Sequence, residues 1–263
     1  MISRYAEAGV TDGVLTGQQV QGFRRDGYVI VPGLFGPAEI EQVSVWAEEV
    51  QNWEETPGQH MMYFEQAAES RPRRILNRIE NLLPYHAEFM ALAASDKMQG
   101  ACGQLFGEPA VMFKDKINYK MPGGSGFDSH QDVQAGWSRY ASVHITALIT
   151  IDPSTRQNGC LELASGFHEH GLIGKEWEPL TEDQFAGANY LAVEATPGDA
   201  VFFDSFVPHR SGPNNTDRPR RVLYYTYNRA SEGDHLAQYY ADKRESYPPD
   251  IEREAGKEYV YRV

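Results

Sequence analysis

From residue 110 to residue 230 the chain is cut into short apolar or alternating runs by Gly, Pro and Asn, a pattern that helices cannot use and that extended strands require. The runs fall at residues 111–120, 127–132, 142–152, 160–164, 191–194, 200–203, 209–212 and 221–230. Eight short strands joined by tight turns and long excursions fit a double-sheet jelly roll better than a parallel α/β sheet, which would need a helical crossover between successive strands. The expected fold is therefore mostly β, with flanking helices.

The N-terminal part reads differently. Residues 16–26 form an amphipathic pattern with Thr16 as N-cap, Val20 and Phe23 on the inner side and Gly27 as the stop. A strand is expected at 28–31. Gly36-Pro37 opens a second helix running to about Gln51, with Ile40, Val43, Val45, Trp46 and Val50 as its apolar residues and Glu39, Glu41, Glu48 and Glu49 toward water. Residues 52–81 have weak periodicity and bring Arg71, Arg73, Arg74 and Arg78 together, which reads as an excursion near a pocket. Helical signal returns over 86–106, broken by Gly100 and Gly103, and again over 234–245 before an irregular tail from Tyr247 to Val263. The 263 residues contain no linker or repeat, so one domain is expected: a mainly helical layer at 1–108 covering one sheet, a jelly-roll core at 109–231, and a C-terminal helix and tail at 232–263.

A formal charge of −13 argues against a nucleic-acid surface, which needs a clustered basic face. Residues 1–14 lack an apolar stretch and no window could span a bilayer, so neither a secretory signal nor a membrane anchor is expected, and a cytoplasmic setting follows. Cys102 and Cys160 read as free buried thiols. Oligomeric state is left open.

His130-Gln131-Asp132 alternates, so in extended backbone both side chains emerge on one face and can grip one ion. His209 follows the turn and buried run Gly198-Asp199-Ala200-Val201-Phe202-Phe203-Asp204 and can be delivered from across a sheet. Two imidazoles and one carboxylate on one side of an ion leave the opposite positions open, the arrangement of non-heme Fe(II) oxygenases. His86-Ala87-Glu88 has the same spacing, but its surroundings favour a helix, where i and i+2 diverge. Two other readings stand beside the oxygenase: a Zn²⁺ hydrolase with an activated water, and a non-catalytic jelly-roll sensor or binding protein that retains a metal.

Downstream of His209 a loop turns the chain back, so that Arg220 on the next strand can lie beside the ligand strand and bind a carboxylate through two parallel hydrogen bonds. Ser211, on the same strand face as His209, can add a hydroxyl. Alternatively Arg218, Arg220 and Arg221 form a solvated basic run. Lys114, Lys116 and Lys120 share one strand face. Facing inward, that row requires an anion and points to a compact anionic substrate, helped by Arg73, Arg74 or Arg78; facing outward, it is merely solvated. Trp137 and Tyr140 either wall the pocket or pack a core.

These residues carry a resemblance. His130-x-Asp132, the distal His209-x-Ser211-Gly212-x-Asn214, Arg220 eleven positions after His209, the stretch Phe23-Arg24-Arg25-Asp26-Gly27-Tyr28-Val29-Ile30-Val31-Pro32-Gly33 and the turn Asn158-Gly159-Cys160-Leu161-Glu162 together resemble the phytanoyl-CoA dioxygenase family of Fe(II)/2-oxoglutarate oxygenases over about residues 20–230. Ala164-Ser165-Gly166-Phe167-His168 departs from that family's usual Pro-Gly-Ser-His and leaves His168 without an assigned role. The resemblance implies a double-stranded β-helix holding Fe(II) through His130, Asp132 and His209, with 2-oxoglutarate chelating the metal and its far carboxylate meeting Arg220 and Ser211. It also implies dioxygen as co-reactant and a cosubstrate contact for Asn118, which otherwise reads as a strand-edge amide. Residues 114–124 and 130–137 are similar to the branch of the family that acts on 2-aminoethylphosphonate, implying hydroxylation at the carbon bearing phosphorus. An amino acid, a betaine, or an acyl-CoA or secondary metabolite is the alternative substrate.

Overall fold

The computed structural model describes residue 5 and residues 13–67, 73–185 and 188–259. Arg71, most of the first twelve residues and the last four residues of the tail lie outside them. Helix α1 (Gly17–Asp26) starts as its sequence dictates: the Thr16 hydroxyl accepts from Gln19 N, the Gln19 side chain accepts from Thr16 N at 2.8 Å, and Val20 and Phe23 are buried. Gly27, at φ 82°, ends the helix in a left-handed conformation that costs a glycine little. Strand β1 (Tyr28–Val31) follows, then α2 (Pro37–Gln51). The buried stripe of α2 is Ile40, Val43, Ala47 and Val50, spaced three, four and three residues apart; Val45 falls off that stripe and is 53% exposed, so the expectation that it packs inward is corrected.

Residues 52–81 are a second correction. They contain a hairpin, β2 (Met61–Gln66) and β3 (Arg74–Glu80), that extends the larger sheet. Residues 86–106 are helical, as α3 (Ala87–Ala93), a π-helical turn at Asp96–Gly100 and α4 (Ala101–Phe106). The break comes at Ser95 and Gly100, whereas Gly103 sits inside α4. His86 caps α3, its Nδ1 accepting from Phe89 N, so the decoy pair is split between a cap and a helix.

The remaining strands are β4 (Ala110–Lys120), β5 (Phe127–His130), β6 (His144–Thr150), β7 (Leu161–Ala164), β8 (Tyr190–Val193), β9 (Ala200–Asp204), β10 (His209–Ser211) and β11 (Arg220–Arg229), followed by α5 (Leu236–Ser246). They pair antiparallel into two sheets, in the orders β1-β9-β6-β11-β4-β3-β2 and β5-β10-β7-β8. This is the jelly roll expected from the strand pattern, with α1 to α4 against one face of the larger sheet. No helix among the described residues is long and apolar enough to cross a membrane.

Strand alternation sends each half of the larger sheet to a different layer. Ile117 and Tyr119 on β4, Leu223, Tyr225 and Tyr227 on β11, and Ile145, Ala147 and Ile149 on β6 point outward into one core with the helices. Three of these tyrosines tie sheet to helices through their hydroxyls: Tyr119 donates to Ala47 O at 2.7 Å, Tyr225 to Phe89 O at 2.9 Å and Tyr227 to Ala93 O at 2.7 Å. On the opposite face Leu148, Val201, Phe203, Val222 and Tyr224 meet Leu161, Leu163 and Val193 of the smaller sheet. Cys102 and Cys160 are both free and buried. Tyr119→Phe removes one buried donor without changing the packing volume much, and should lower unfolding free energy by about 1–2 kcal/mol in urea denaturation while catalysis is unchanged.

Candidate metal centre

The inner face of the larger sheet and the smaller sheet enclose a cavity of about 800 Å³. At one place in its wall His130, Asp132 and His209 come together, with one potential ligand atom from each within 4.8 Å of the others. His130 and His209 are direct cross-strand partners of β5 and β10, with ring centroids 4.2 Å apart. The second imidazole therefore comes from the neighbouring strand of the same sheet. Three steps along β5 (130 back to 127) span the same pairing interval as two along β10 (209 to 211), a bulge of the kind that re-aims side chains beside a site.

Strand β5 stops at His130, so Asp132 does not lie in the strand as the sequence suggested. It opens a 3-10 turn instead. Gln131 between them is still extended (φ −108°, ψ 134°), which keeps His130 and Asp132 on one side. Gln131 is buried, and its amide donates to Phe206 O at 2.6 Å and Gly171 O at 2.9 Å, fixing the corner.

The donors are set up for a cation. His130 Nδ1 is 2.7 Å from Asp128 O and His209 Nδ1 is 3.0 Å from Val207 O. Each contact places the proton on Nδ1 and leaves the Nε2 lone pair facing the cluster, the arrangement by which outer hydrogen bonds orient metal-binding histidines. Burial pushes His130 down to about 3 and also lowers His209, so both rings are neutral at physiological pH. Burial opposes the charge on Asp132, but His209 and Lys116 hold its carboxyl below the usual range. His209 Nε2 is 3.9 Å from Asp132 Oδ1, and Thr146 Oγ1 donates to Asp132 Oδ2 at 3.3 Å while sharing a 3.0 Å contact with Thr226. Two neutral nitrogens and one ionised oxygen suit a divalent cation that accepts both ligand types, such as Fe(II) or Zn²⁺.

The lysine row faces inward. Lys114, Lys116 and Asn118 line the cavity. Lys114 lies 3.7 Å from Glu80, a fully buried carboxylate on β3 that also takes Arg78 Nε at 2.7 Å and Lys243 Nζ of α5. Burial opposes the charge on Glu80, yet these three cations hold its carboxyl well below the usual range. Lys116 forms no ion pair among the described residues; its ammonium sits 4.7 Å from the Tyr224 ring, and burial and then Lys114 push it down to about 8. Trp137 and Tyr140 line the cavity and also pack against Phe113, so both readings of those two aromatics hold at once.

Arg74 is a correction. It pairs with Glu55 at 2.8 Å, lies over the Phe64 ring at 3.3 Å and does not line the cavity, whereas Arg78 does. A bulge at Asn77 is the reason, since Tyr63 pairs with Arg78 but Phe64 with Leu76, and the extra residue turns Leu76 and Arg74 to the face opposite Arg78. His168 is also outside the cluster, its Nε2 3.1 Å from Arg24 O.

Arg220 and Lys120 are buried cross-strand partners at the ends of β11 and β4. Neither lines the cavity, but Ser211 beside them does. Arg220 Nε donates to Asn158 O at 3.2 Å, and no carboxylate pairs with Arg220 among the described residues. This excludes the solvated basic run for Arg220, while Arg221 is spent on a two-pronged pair with Asp152 at 2.8 Å. Asn118 lies in the middle of the sheet, bonds to Tyr224 and leaves its Oδ1 buried without a partner. Sequence reasoning missed Glu80, Lys243, Thr146 and Tyr224. Of these only Glu80 left a usable trace, the alternation Arg78-Ile79-Glu80, which was hidden because its strand was not recognised.

The family model for phytanoyl-CoA dioxygenase matches residues 23–222. A 2-aminoethylphosphonate dioxygenase from the uncultured bacterium HF130_AEPn_1 is 39% identical over 245 residues, 93% of this chain and 93% of that protein. A methylphosphonate hydroxylase from Gimesia maris is 39% identical over 235 residues, 89% and 88% of the two chains. Among solved structures, EctD from S. alaskensis with 2-oxoglutarate and 5-hydroxyectoine superposes with a TM-score of 0.74 at 20% identity, over 88% of this chain and 82% of that one, and shares its fold.

Thr146→Val keeps the side-chain shape but removes the hydroxyl that steadies Asp132. Titration with Fe(II) or Co(II) should show affinity weakened by about ten- to a hundred-fold, the usual effect of losing an outer hydrogen bond to a metal ligand.

Proposed function

The chain belongs to the phytanoyl-CoA dioxygenase family, and from that membership we propose that it uses Fe(II), 2-oxoglutarate and dioxygen to hydroxylate the carbon bearing phosphorus in a small phosphonate, with 2-aminoethylphosphonate the favoured substrate. It acts as one domain in a cytoplasmic setting, a reading supported by the two buried free thiols. Its partner is a small molecule, and the net charge of −13 gives nucleic acid no basic face.

His130, Asp132 and His209 hold the metal through two Nε2 atoms and one carboxylate oxygen. Their fit rests on the Nδ1 contacts to backbone carbonyls and on the neutral state of both rings. Arg220, Ser211 and Asn118 hold 2-oxoglutarate, and what supports this is a buried guanidinium with no acid of its own beside a hydroxyl that opens on the cavity. When bound, the iron together with 2-oxoglutarate and dioxygen converts a C–H bond of the substrate into C–OH, with succinate and carbon dioxide as the other products. The chain's part is placement and exclusion of water. Phe203, Leu161 and Tyr224 provide apolar walls beside His209, and Trp137 lines the cavity next to Lys114.

The observation that carries the phosphonate reading is the charge of the opposite wall. Arg78, Lys114 and Lys243 share the single carboxylate of Glu80, so three basic groups face one acid, although burial pushes Lys243 well below its ordinary range, and Lys116 adds another basic group with no acid paired to it among the described residues. Buried cations left unanswered by the chain call for an anion from solution, and a phosphonate carries up to two negative charges on three acceptor oxygens. A betaine, whose quaternary ammonium cancels its single carboxylate, brings no net negative charge to that wall, whereas 2-aminoethylphosphonate with its phosphonate doubly ionised keeps one after its own ammonium is counted. Both 39% identical relatives are named for phosphonates.

Succinate release measured with 2-aminoethylphosphonate, methylphosphonate, amino acids, betaines and acyl-CoA esters should be stimulated by the phosphonates and by 2-aminoethylphosphonate most. Stimulation by another class and not by phosphonates would remove the substrate assignment. Lys116→Met should raise the KM for the phosphonate by about ten- to a hundred-fold, the range for losing a hydrogen bond to a charged group, and leave the 2-oxoglutarate KM near wild type.

A further inference from the structure

Trp177 is the one aromatic residue with a left-handed backbone among the described residues: its φ is 65°, a region that is unfavourable for every residue but glycine and worst for bulky ones. It lies in residues 171–180, a segment without helix or strand, and it lines the cavity. Such a conformation persists only where the surroundings fix it, and here they do. Trp177 N donates to Gln134 O at 2.8 Å, and the Gln134 amide donates to Lys175 O at 2.9 Å and Glu178 O at 2.5 Å on either side of it. Gln131 donates to Gly171 O at 2.9 Å and accepts from Ile173 N at 2.7 Å. Both glutamines are fully buried, and both belong to the turn that carries Asp132. Their hydrogen bonds pin the whole segment over the metal-bearing turn.

The ring is seated as closely as the backbone. Gly136, at the end of the same turn, has φ 72°, and a Cβ there would meet Trp177 Cζ2 at 2.6 Å and Cη2 at 3.2 Å. The indole therefore rests on bare backbone. Beside it the Arg139 guanidinium lies 5.8 Å from the Trp177 ring and 5.9 Å from the Tyr140 ring, bridging two aromatic residues of the cavity wall. Trp177 is 38% exposed while it lines the cavity, so it stands at the rim between the interior and solvent. Folding does not call for a tryptophan there: glycine or asparagine adopts the same φ more readily, and a partly exposed ring removes less apolar area from water than a ring in the core.

A cavity of about 800 Å³ falls in the range that drug-sized ligands occupy, about 300–1,000 Å³, so its volume alone does not confine the substrate to a small phosphonate. The basic groups around Glu80 answer one end of such a substrate and the metal ligands set the place of the reacting carbon. The length of the remaining end is left for the rim to limit. We propose that Trp177 is a specificity-determining residue: its ring, locked over the metal-bearing turn, closes the rim against phosphonates that carry a further substituent beyond the nitrogen of 2-aminoethylphosphonate. The unusual φ serves that placement, because it sets the direction in which the side chain leaves a backbone that Gln131 and Gln134 already hold in place. The proposal rests on the reading that the substrate is a small phosphonate.

Succinate release by the Fe(II)-loaded enzyme is measured with 2-aminoethylphosphonate and with its N-propyl derivative, which keeps the charge on nitrogen and adds only length. The quantity read is the ratio of kcat/KM for the longer substrate to that for the shorter. In the wild type this ratio should lie well below one. Trp177→Gly should raise it by about ten-fold or more, the scale on which pocket walls discriminate small apolar groups, and Trp177→Asn should raise it as well. Both replacements suit the backbone at 177, and a purely structural role would lower both substrates together and leave the ratio unmoved. A ratio within about two-fold of wild type in both variants, or a wild type that turns over the two phosphonates equally well, would overturn the proposal. If Trp177→Gly does not fold, Trp177→Asn decides alone by the same ratio. If another substrate class stimulates turnover and phosphonates do not, the phosphonate reading falls, and the ratio is taken between a short and a propyl-extended member of that class, which judges Trp177 separately.

Discussion

A buried positive charge that the chain does not answer with its own acid must be answered from outside, and this condition holds at Lys116 and Lys120 on one face of β4. Lys114, Lys116, Asn118 and Lys120 share that face, with Arg78 and Glu80 beside them on β3 and Arg220 and Tyr224 beside them on β11. Placing several cations in one enclosed volume carries a desolvation penalty of several kcal/mol for each ion that is left unpaired. Folding gains nothing from such an arrangement. The rest of the molecule has to supply enough stability elsewhere to tolerate it.

It does so on the reverse side of the same strands. Residues that alternate with the lysines, Ile117 and Tyr119, enter the large core shared with the N-terminal helices, and the three buried tyrosine hydroxyls fix helix carbonyls to the sheet. The two-residue period of an extended strand thus separates a stabilising layer from a binding layer at no cost in chain length. The two histidine ligands sit on the smaller sheet across the cavity, where cross-strand pairing of His130 with His209 sets their spacing before any ion is bound, and Asp132 joins them from the 3-10 turn that follows β5.

How far the sequence reveals this depends on how local each signal is. Helix α1 was legible because its cap residues Thr16, Gln19 and Gly27 act within one turn of the chain. The eight strands after residue 110 were legible because turns and apolar runs punctuate them, and the metal ligands because an extended Gln131 keeps its neighbours on one side. The β2–β3 hairpin was not, since β2 opens on the unbroken run Met61-Met62-Tyr63-Phe64 and the bulge at Asn77 breaks the alternation of β3, so neither strand shows a two-residue period. Choosing between Arg74 and Arg78 required knowing of a bulge at Asn77, which only the pairing with β2 discloses. Lys243 was beyond reach for the same reason, because it reaches Glu80 from α5, 163 residues away.

Under the proposed function the lysine face also acts as a ruler. Residues two apart on a strand are separated by about 6.6 Å, so Lys116 and Lys120 stand about 13 Å apart with Asn118 between them. That spacing lets one strand address two anions without a partition between them, a carboxylate at the Arg220 end and a phosphonate at the Glu80 end. The two ends differ in their handling of charge. At the Arg220 end no carboxylate pairs directly with either cation among the described residues, and one ligand carboxylate answers two basic groups that already lean on backbone carbonyls and a hydroxyl. At the other end Glu80 holds Arg78, Lys114 and Lys243 together against their mutual repulsion, and the charge that remains exceeds what a single carboxylate could balance. Discrimination between substrate and cosubstrate follows from that difference, because the Glu80 end gathers Arg78, Lys114, Lys116 and Lys243 around one acid, whereas the Arg220 end offers only Arg220 and Lys120 to a ligand.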